Sequence, residues 1–424
     1  MQRVARKSRF ALAGPLPLAG EYMPLKLNPL AGARPGCSAL YIHIPFCEHR
    51  CAYCDFTAIG GIARAKEYMA ALRREIALWG EAVGHCELRT IFIGGGTPSF
   101  VDPREIHELL AACRSAFSFS PDIEITMEAN PSSTTFERAR IWRESGVNRL
   151  SMGIQSFDDR VLKRLGRVHT ADRAREAYEA VRNVGIPSVN GDFIGGVWGS
   201  TREMWRTSLS EAVRMGFDHL SCYELIIEES TPLYGAVQRG EIALRPENDL
   251  AAELEETRAL LTAAGYVQYE VSNFARPGHE CRHNRVYWQG DAYLACGVGS
   301  HGYLESDVAG VIEATPPGSP GCRFWHVEGI GAYIDAIRKG SIPIRGWEWI
   351  SVEEKWMELV MLQLRCQEGV LDTLLDPDAV EPFIEQGMLE HRGDRVVSTA
   401  RGMLVLNGII EALVGHPPAT VANG

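Results

Sequence analysis

No stretch of this chain is long and apolar enough to span a membrane, and we expect no secretory signal ahead of its cysteines. A membrane-spanning helix needs roughly 20 apolar residues in succession. Positive charge is also scarce, because 43 basic and 54 acidic residues leave a net charge of −11. A nucleic acid is therefore disfavoured as the main partner. We expect a cytoplasmic protein without a membrane span, for which transient membrane association stays open.

The cysteines do not form the even, regularly spaced set that is typical of a disulfide framework. The chain has 11 of them, an odd and scattered number. Thiols of this kind are typical of a reducing compartment, where they are either buried or bound to metal.

Residues 1–38 form a basic, proline-interrupted leader, which we expect to be disordered. Six residues of the leader are basic and only Glu21 is acidic. An uninterrupted apolar segment of about 7–15 residues, as in a signal peptide, is missing. A transit peptide is the alternative, and Met23 is an alternative start.

From residue 39 onward, apolar strands alternate with amphipathic helices. Strands are predicted at "SALYIHIPF", "TIFIGGG", "DIEITMEANP", "NRLSMGIQS", "SVNGDFIGG" and "DHLSCYELII". Six strand–helix units of this kind predict an α/β fold, a partial parallel (β/α)6 barrel of the TIM type. Polar residues follow the strands, where such barrels carry their working face. We therefore expect one shared site at that end of the barrel.

Three cysteines, Cys47, Cys51 and Cys54, lie in "FCEHRCAYCDF", directly after the first strand. A disulfide uses two thiols, and a structural zinc site usually has four protein ligands. The spacing C-x3-C-x2-C therefore favours a 4Fe–4S cluster with one iron left open to another ligand. Structural thiols, or a zinc site completed from elsewhere in the chain, are the alternatives.

This loop resembles the radical S-adenosylmethionine (radical SAM) superfamily, in which an aromatic residue, here Tyr53, precedes the last cysteine. The resemblance implies that the open iron binds S-adenosylmethionine and that an electron donor is needed if radical chemistry occurs. Further segments, including "IGGGTPS", "MEANP", "LGRVHT" and "HNRVYW", extend the likeness over residues 39–305. They are similar to the branch that contains oxygen-independent coproporphyrinogen III oxidase (HemN) and the haem chaperone HemW.

By this resemblance, nine positions correspond to those that bind the cofactor in that branch. They are Tyr41, Tyr53, Gly95, Gly96, Thr97, Glu128, Gln155, Arg167 and Asp192. Glycines allow close approach of the backbone to a ligand, and an arginine suits a carboxylate.

Phe56 separates the two relatives. The oxidase motif continues to a fourth cysteine, where this chain has Phe56, as in the haem chaperone group. "HNRVYW" matches a motif associated with haem in that group, so His283 is the predicted haem ligand. A hydrogen-bonded structural histidine is the alternative, His301 is a second candidate ligand, and Cys281 a competing one. Trp198 replaces the proline expected after the fifth strand.

The rest of the chain is expected to form a linker or inserted loop over 306–344 and a separate domain over 345–424. The order helix, hairpin, helix in that domain predicts an α+β, winged-helix-like module of the HemW/HemN type. It has no basic stripe for DNA.

Three functions follow from these observations. The favoured one is a haem chaperone that binds a 4Fe–4S cluster, S-adenosylmethionine and haem and delivers haem to proteins such as cytochromes. The second is a radical enzyme of the same branch, either the oxidase or a methyltransferase. The third is a binding module with a structural cluster.

Overall fold

The computed structural model describes residues 37–84, 86–418 and 421. The predicted leader thus lies outside the described residues, except for Cys37 and Ser38. In the described part, no helix combines the length and the apolar character that crossing a membrane requires.

Strands and helices alternate through the first half of the chain. The strands are β1 Ala39–Ile44, β2 Phe46–Cys47, β3 Ile59–Gly60, β4 Glu87–Gly95, β5 Ser118–Ala129, β6 Arg149–Gln155, β7 Ser188–Gly195, β8 His219–Glu224, β9 Val267–Gln268, β10 Asn273–Ala275, β11 Leu294–Cys296, β12 His301–Glu305, β13 Gly321–His326, β14 Ile344–Ile350, β15 Val370–Leu371, β16 Leu389–Arg392 and β17 Arg395–Ser398. The helices are α1 Ala65–Val83, α2 Pro103–Ala116, α3 Phe136–Ser145, α4 Asp159–Arg164, α5 Ala171–Val184, α6 Arg202–Met215, α7 Pro232–Gln238, α8 Glu247–Ala263, α9 Arg282–Gln289, α10 Ser306–Ala309, α11 Ile330–Arg338, α12 Val352–Gln363, α13 Pro377–Glu385, α14 Ala400–Met403 and α15 Leu406–Val414. Three short 3-10 turns lie at Pro98–Phe100, Pro131–Ser133 and Asp372–Leu374.

The main sheet has nine strands in the order β11-β1-β4-β5-β6-β7-β8-β10-β9. The six predicted strands lie side by side and parallel, each paired with the next along the chain. The predicted partial parallel barrel is thereby confirmed. A seventh parallel strand, β11, pairs with the outer edge of β1 and aligns Leu294 with Leu40. Sequence periodicity did not predict it, because it is only three residues long.

The barrel helices begin and end at capping residues, so the strand ends are held at fixed positions. Thr135, Thr170 and Thr201 each accept a hydrogen bond from a backbone N–H in the first turn of α3, α5 and α6. Each of these helices ends at a glycine in the left-handed conformation, which other residues adopt at a cost.

The region 306–344 is not a linker, and this corrects the expectation. Strands β12, β13 and β14 form an antiparallel three-stranded sheet. Phe324 and Tyr333 are buried in the same apolar core as the barrel. The Pro- and Gly-rich composition indicated a loop, and the longest part without a helix or strand is the one between α10 and β13.

The C-terminal residues form their own apolar core, which includes Trp356, Val380 and Ile409. Strands β15, β17 and β16 form a small antiparallel sheet flanked by α12, α13 and α15. The predicted α+β C-terminal module is confirmed. Its first strand lies beyond residue 350, so the boundary expected at 345 falls inside β14.

Candidate functional site

A cavity of about 350 Å³ opens at the carboxyl ends of the parallel strands. Its walls include every predicted site residue except Tyr41 and His283. They are Cys47, Cys51, Tyr53, Cys54, Gly95, Gly96, Thr97, Glu128, Gln155, Arg167 and Asp192. Because parallel strands end at a common edge, residues far apart in sequence converge here. The structure thus brings these residues together, as the strand-end pattern indicated.

The cysteine loop, residues 47–58, lies over this cavity and is held at both ends. Its base is the short parallel pair of β2 and β3. A turn brings the Cys54 N–H to the Cys51 carbonyl at 3.2 Å, and Ala52 O accepts a 3.0 Å hydrogen bond from Leu233 N of α7. All three thiols are free. Burial raises the pKa of Cys47 and Cys54, so both are protonated at neutral pH unless a metal stabilises the thiolate.

The three thiols are potential metal donors on the wall of the cavity. Within residues 37–84, 86–418 and 421, no three His, Cys, Asp or Glu side chains are gathered tightly enough for one metal ion. In a cubane cluster each thiolate binds its own iron, so the sulfurs are spread apart. Three free thiols on one loop at the cavity are chemically suited to bind such a cluster.

Arg167 joins the cysteine loop to the strand ends. Its Nη1 donates to Cys51 Sγ at 3.6 Å, and its Nη2 donates to Gly153 O at 3.1 Å and to Asn130 Oδ1. A guanidinium beside a thiolate stabilises the ionised sulfur. Gly153 was not predicted as a site residue, because an isolated glycine inside a strand is a weak signal.

Gln155, at the end of β6, has the unusual backbone conformation of the site. Among the residues that the structure describes, it is the only non-glycine with a positive φ, at 65°. The pairing of β6 with β7 shifts at the same place, between Met152 and Gln155. Such a conformation costs of order 1 kcal/mol or more and is typical of functional sites. Gln155, in this conformation, forms part of the cavity wall at the end of β6.

Two partly buried carboxyl groups form an acidic wall. Glu128 Oε2 accepts a 3.1 Å hydrogen bond from Gly95 N. Asp192 accepts hydrogen bonds from Ser151 Oγ at 3.0 Å and Asn190 Nδ2 at 2.8 Å. Burial, and then the charge of Asp192, raises the pKa of Glu128 to about 8; burial also raises that of Asp192. Two such groups favour a ligand with a positive charge or hydroxyl donors, which would relieve the cost of burying them.

The glycines after β4 are needed for packing against the chain itself. Gly95 has φ +113°, and a Cβ there would lie 2.6 Å from the His43 ring. A Cβ on Gly96 would lie 2.7 Å from the Pro45 carbonyl carbon. Close approach to a ligand, which was the reason given for these glycines, is therefore not the only constraint on them.

Tyr41 supports the cysteine loop from below and does not line the cavity. Its hydroxyl lies 3.0 Å from His43 Nδ1, and His43 Nε2 lies 2.8 Å from Thr57 O, just after the cysteine motif. His43 was not predicted as a site residue. It could have been predicted from its position, because a residue two places after Tyr41 on a strand lies on the same face of β1.

His283 lies in the barrel interior, away from the cavity. It is 0% exposed. Its Nδ1 lies 2.8 Å from Thr90 Oγ1 and its Nε2 lies 2.9 Å from Tyr287 OH. Both ring nitrogens are thus occupied, so the prediction of a haem ligand is not supported by this arrangement. Cys281 is also 0% exposed, whereas His301 is exposed beside Trp325.

Comparison with known proteins agrees with this architecture. Residues 41–212 match the Radical SAM superfamily and residues 350–405 match the HemN C-terminal domain. The solved structure of coproporphyrinogen III oxidase (HemN) from Escherichia coli has a TM-score of 0.74 at 24% identity. It covers 89% of this chain and 90% of that chain, which shows the shared fold.

Curated relatives match over almost their whole length. The heme chaperone HemW of Mycobacterium tuberculosis H37Rv is 35% identical over 400 residues, 92% of this chain and 98% of that protein. HemW of Escherichia coli K12 is 33% identical, covering 92% of this chain and all of that protein. A bovine mitochondrial radical S-adenosyl methionine domain-containing protein 1 is 39% identical over 89% of this chain and 88% of its own. With the two domain matches and relatives of this extent, the chain belongs to the HemW family of the radical SAM superfamily.

Proposed function

We propose that this chain is a haem chaperone that holds a 4Fe–4S cluster, S-adenosylmethionine and haem and delivers haem to haem-accepting proteins such as cytochromes in the cytoplasm. The observation that carries the proposal is Phe56. It replaces the fourth cysteine of the oxidase motif, and its ring is 69% exposed at the cavity mouth. An exposed aromatic ring at that position suits contact with a flat apolar ligand.

Cys47, Cys51 and Cys54 would hold the cluster, since they are free thiols on one loop at the cavity. Glu128 and Asp192 would bind the positive and hydroxyl-bearing parts of S-adenosylmethionine. Arg167 would hold the cysteine loop against the end of β6 through its contacts with Cys51 and Gly153. When bound, the cluster and its cofactor supply one-electron cleavage of the sulfonium. The acidic wall supports this proposal, because a positively charged ligand beside these carboxyl groups, whose pKa values burial raises, would stabilise their ionised form.

Haem would dock at the rim of the same cavity. Besides Phe56, the rim exposes Ile226 and Tyr223, whose exposed fractions are 59% and 40%. These side chains surround the mouth with apolar surface, and Arg50 lines the same cavity and offers a cation to the haem carboxylates.

The reconstituted protein is expected to bind about one haem per chain and not to convert coproporphyrinogen III under anaerobic reducing conditions. Phe56→Ser should weaken haem binding about 10-fold, because part of a buried aromatic contact is lost. Phe136→Ser is the matched control, since Phe136 is 45% exposed on α3 and does not line the cavity. Haem titration by absorbance measures both. Turnover of coproporphyrinogen III, or equal haem affinity in the two variants, would overturn the proposal.

Asp192→Ala is expected to weaken S-adenosylmethionine binding by roughly 5- to 150-fold while the iron content stays full. The change removes a partly buried carboxyl group from the proposed ligand contact, which is worth about 1–3 kcal/mol. Calorimetry on the reconstituted protein measures the affinity. Asp335→Ala is the control, because Asp335 is an exposed carboxyl group on α11 that pairs with Arg338 and does not line the cavity. Unchanged affinity in Asp192→Ala would place the cofactor elsewhere.

A radical enzyme of the same branch is the second candidate, favoured by the completeness of the acidic wall beside the cysteine loop. It requires an electron donor and produces 5′-deoxyadenosine. Sustained 5′-deoxyadenosine formation with a low-potential reductant would favour this candidate over the chaperone.

A further inference from the structure

A continuous chain of hydrogen bonds runs through the barrel interior from residue 281 to Asp192. Cys281 N lies 3.3 Å from Tyr269 OH, and Tyr269 OH lies 2.9 Å from His219 Nε2. His219 Nδ1 lies 2.7 Å from Asn190 Oδ1, and Asn190 Nδ2 lies 2.8 Å from Asp192 Oδ1. Every side chain in between is at most 4% exposed. We call Tyr269, His219 and Asn190 the relay.

The direction of these hydrogen bonds is fixed by their ends. The Cys281 N–H can only donate, and the Asp192 carboxylate can only accept. Asn190 must therefore present its NH2 to Asp192 and its oxygen to His219. His219 then donates through Nδ1 and accepts from the Tyr269 hydroxyl at Nε2. Burial lowers the pKa of His219 well below its usual value, which keeps the ring neutral, as this pattern requires. Hydrogen bonds aligned in one direction strengthen one another.

The start of the relay is held at the amino-terminal ends of the strands. Glu124 of β5 accepts hydrogen bonds from Arg282 N at 2.9 Å and His283 N at 3.1 Å. His279 Nδ1 lies 3.2 Å from Ser188 Oγ, at the first residue of β7. The segment 279–283 therefore sits across the end of the barrel opposite the cavity. Asp192, four residues after Ser188 on β7 and in the wall of the cavity, receives the relay.

We propose that the relay positions the Asp192 carboxylate, so that the segment carrying Cys281 and His283 sets the affinity for S-adenosylmethionine from the opposite end of the barrel. This inference rests on the proposed role of Asp192 in the cofactor cavity. Tyr269, His219 and Asn190 are positioning residues, since none of them lines that cavity. In this arrangement the "HNRVYW" segment acts through the barrel interior.

Tyr269→Phe tests the relay with the smallest change, because it removes one hydroxyl and leaves the ring. Tyr266→Phe is the matched control: Tyr266 is equally buried, and its hydroxyl donates to Phe217 O at 2.5 Å without reaching the relay. Tyr269→Phe is expected to weaken S-adenosylmethionine binding about 3- to 10-fold at full iron content. It should also reduce the change that the cofactor produces in the electron paramagnetic resonance spectrum of the reduced cluster. Tyr266→Phe should alter neither readout.

A second pair of variants separates positioning from packing. His219→Leu removes both hydrogen-bonding atoms, whereas His219→Gln keeps one donor and one acceptor. The glutamine variant should bind the cofactor more tightly than the leucine variant. The relay is overturned, and the cavity assignment kept, if Asp192→Ala weakens cofactor binding but Tyr269→Phe has the same affinity as Tyr266→Phe. The same conclusion follows if His219→Leu and His219→Gln bind the cofactor equally well. If Asp192→Ala also leaves affinity unchanged, the cavity assignment fails as well.

Discussion

Replacing Cys47, Cys51 and Cys54 together by Ala is expected to abolish the cluster. After anaerobic reconstitution, the variant should hold essentially no cluster iron and show no charge-transfer absorption. The reason is that these thiols are the donors at the cavity, on a loop anchored at both ends. Iron analysis and the visible spectrum are the measurements.

A second triple variant controls for the general loss of thiols. Cys113, Cys322 and Cys366 are buried on three separate parts of the fold and do not line the cavity. Their replacement by Ala should leave the iron content unchanged, although each small cavity lowers stability slightly. A full cluster in the first variant, or loss of iron in the second alone, would contradict the assignment.

His283→Ala is expected to destabilise the fold by about 3–5 kcal/mol and to leave haem binding per folded chain intact. It opens a cavity beside Phe92 and leaves the hydroxyls of Thr90 and Tyr287 without their partner. Urea unfolding measures the stability, and the Soret band measures haem. His301→Ala, at an exposed position, should change stability by less than about 0.5 kcal/mol.

The Soret band decides between a structural histidine and a haem ligand. Should His283→Ala remain folded and lose the band, His283 would be the haem ligand after all, released from its two hydrogen bonds when haem binds. His283→Gln, which keeps a donor and an acceptor, provides a folded variant for the same measurement if the alanine variant is too unstable.

Acid should destabilise the wild-type protein more than His283→Ala. Burial lowers the pKa of His283 to about 3, whereas an unfolded histidine titrates near 6.5. Below about pH 6.5 the unfolded chain therefore takes up a proton that the folded chain does not. Stability is highest above that pH and falls as pH decreases towards the folded value. Between pH 7.5 and pH 5.5, the free energy of unfolding should fall by about 1 kcal/mol more in the wild type than in His283→Ala.

Local pattern was sufficient to predict the parallel strands and the residues that converge at their ends. Apolar runs such as "TIFIGG" belong to β4, and the polar residues after each run line the cavity. Parallel pairing fixes where a strand end lies, so Glu128 and Asp192 could be placed together without knowing any side-chain contact. Their roles as cofactor ligands stay a prediction.

Burial and long-range pairing could not be predicted. One partner of His283, Tyr287, lies in "HNRVYW" itself, but the other, Thr90, comes from a distant strand, so the occupation of both ring nitrogens could not be predicted. Residues 306–344 were misjudged for a related reason. Their proline and glycine content is local, whereas the pairing of β13 with β12 and β14 depends on tertiary contacts.

The position of β11 bears on how the chain is synthesised. The cysteine loop follows β1, whose outer edge pairs, within the part of the chain that the structure describes, only with β11, and Leu40 lies opposite Leu294. While the ribosome is still making the intervening residues, that edge stays unpaired. Unpaired strand edges promote aggregation, and pairing across long sequence separations is slow. We therefore expect nascent chains that end before β11 to depend on chaperones, and cluster insertion to follow release of the completed barrel.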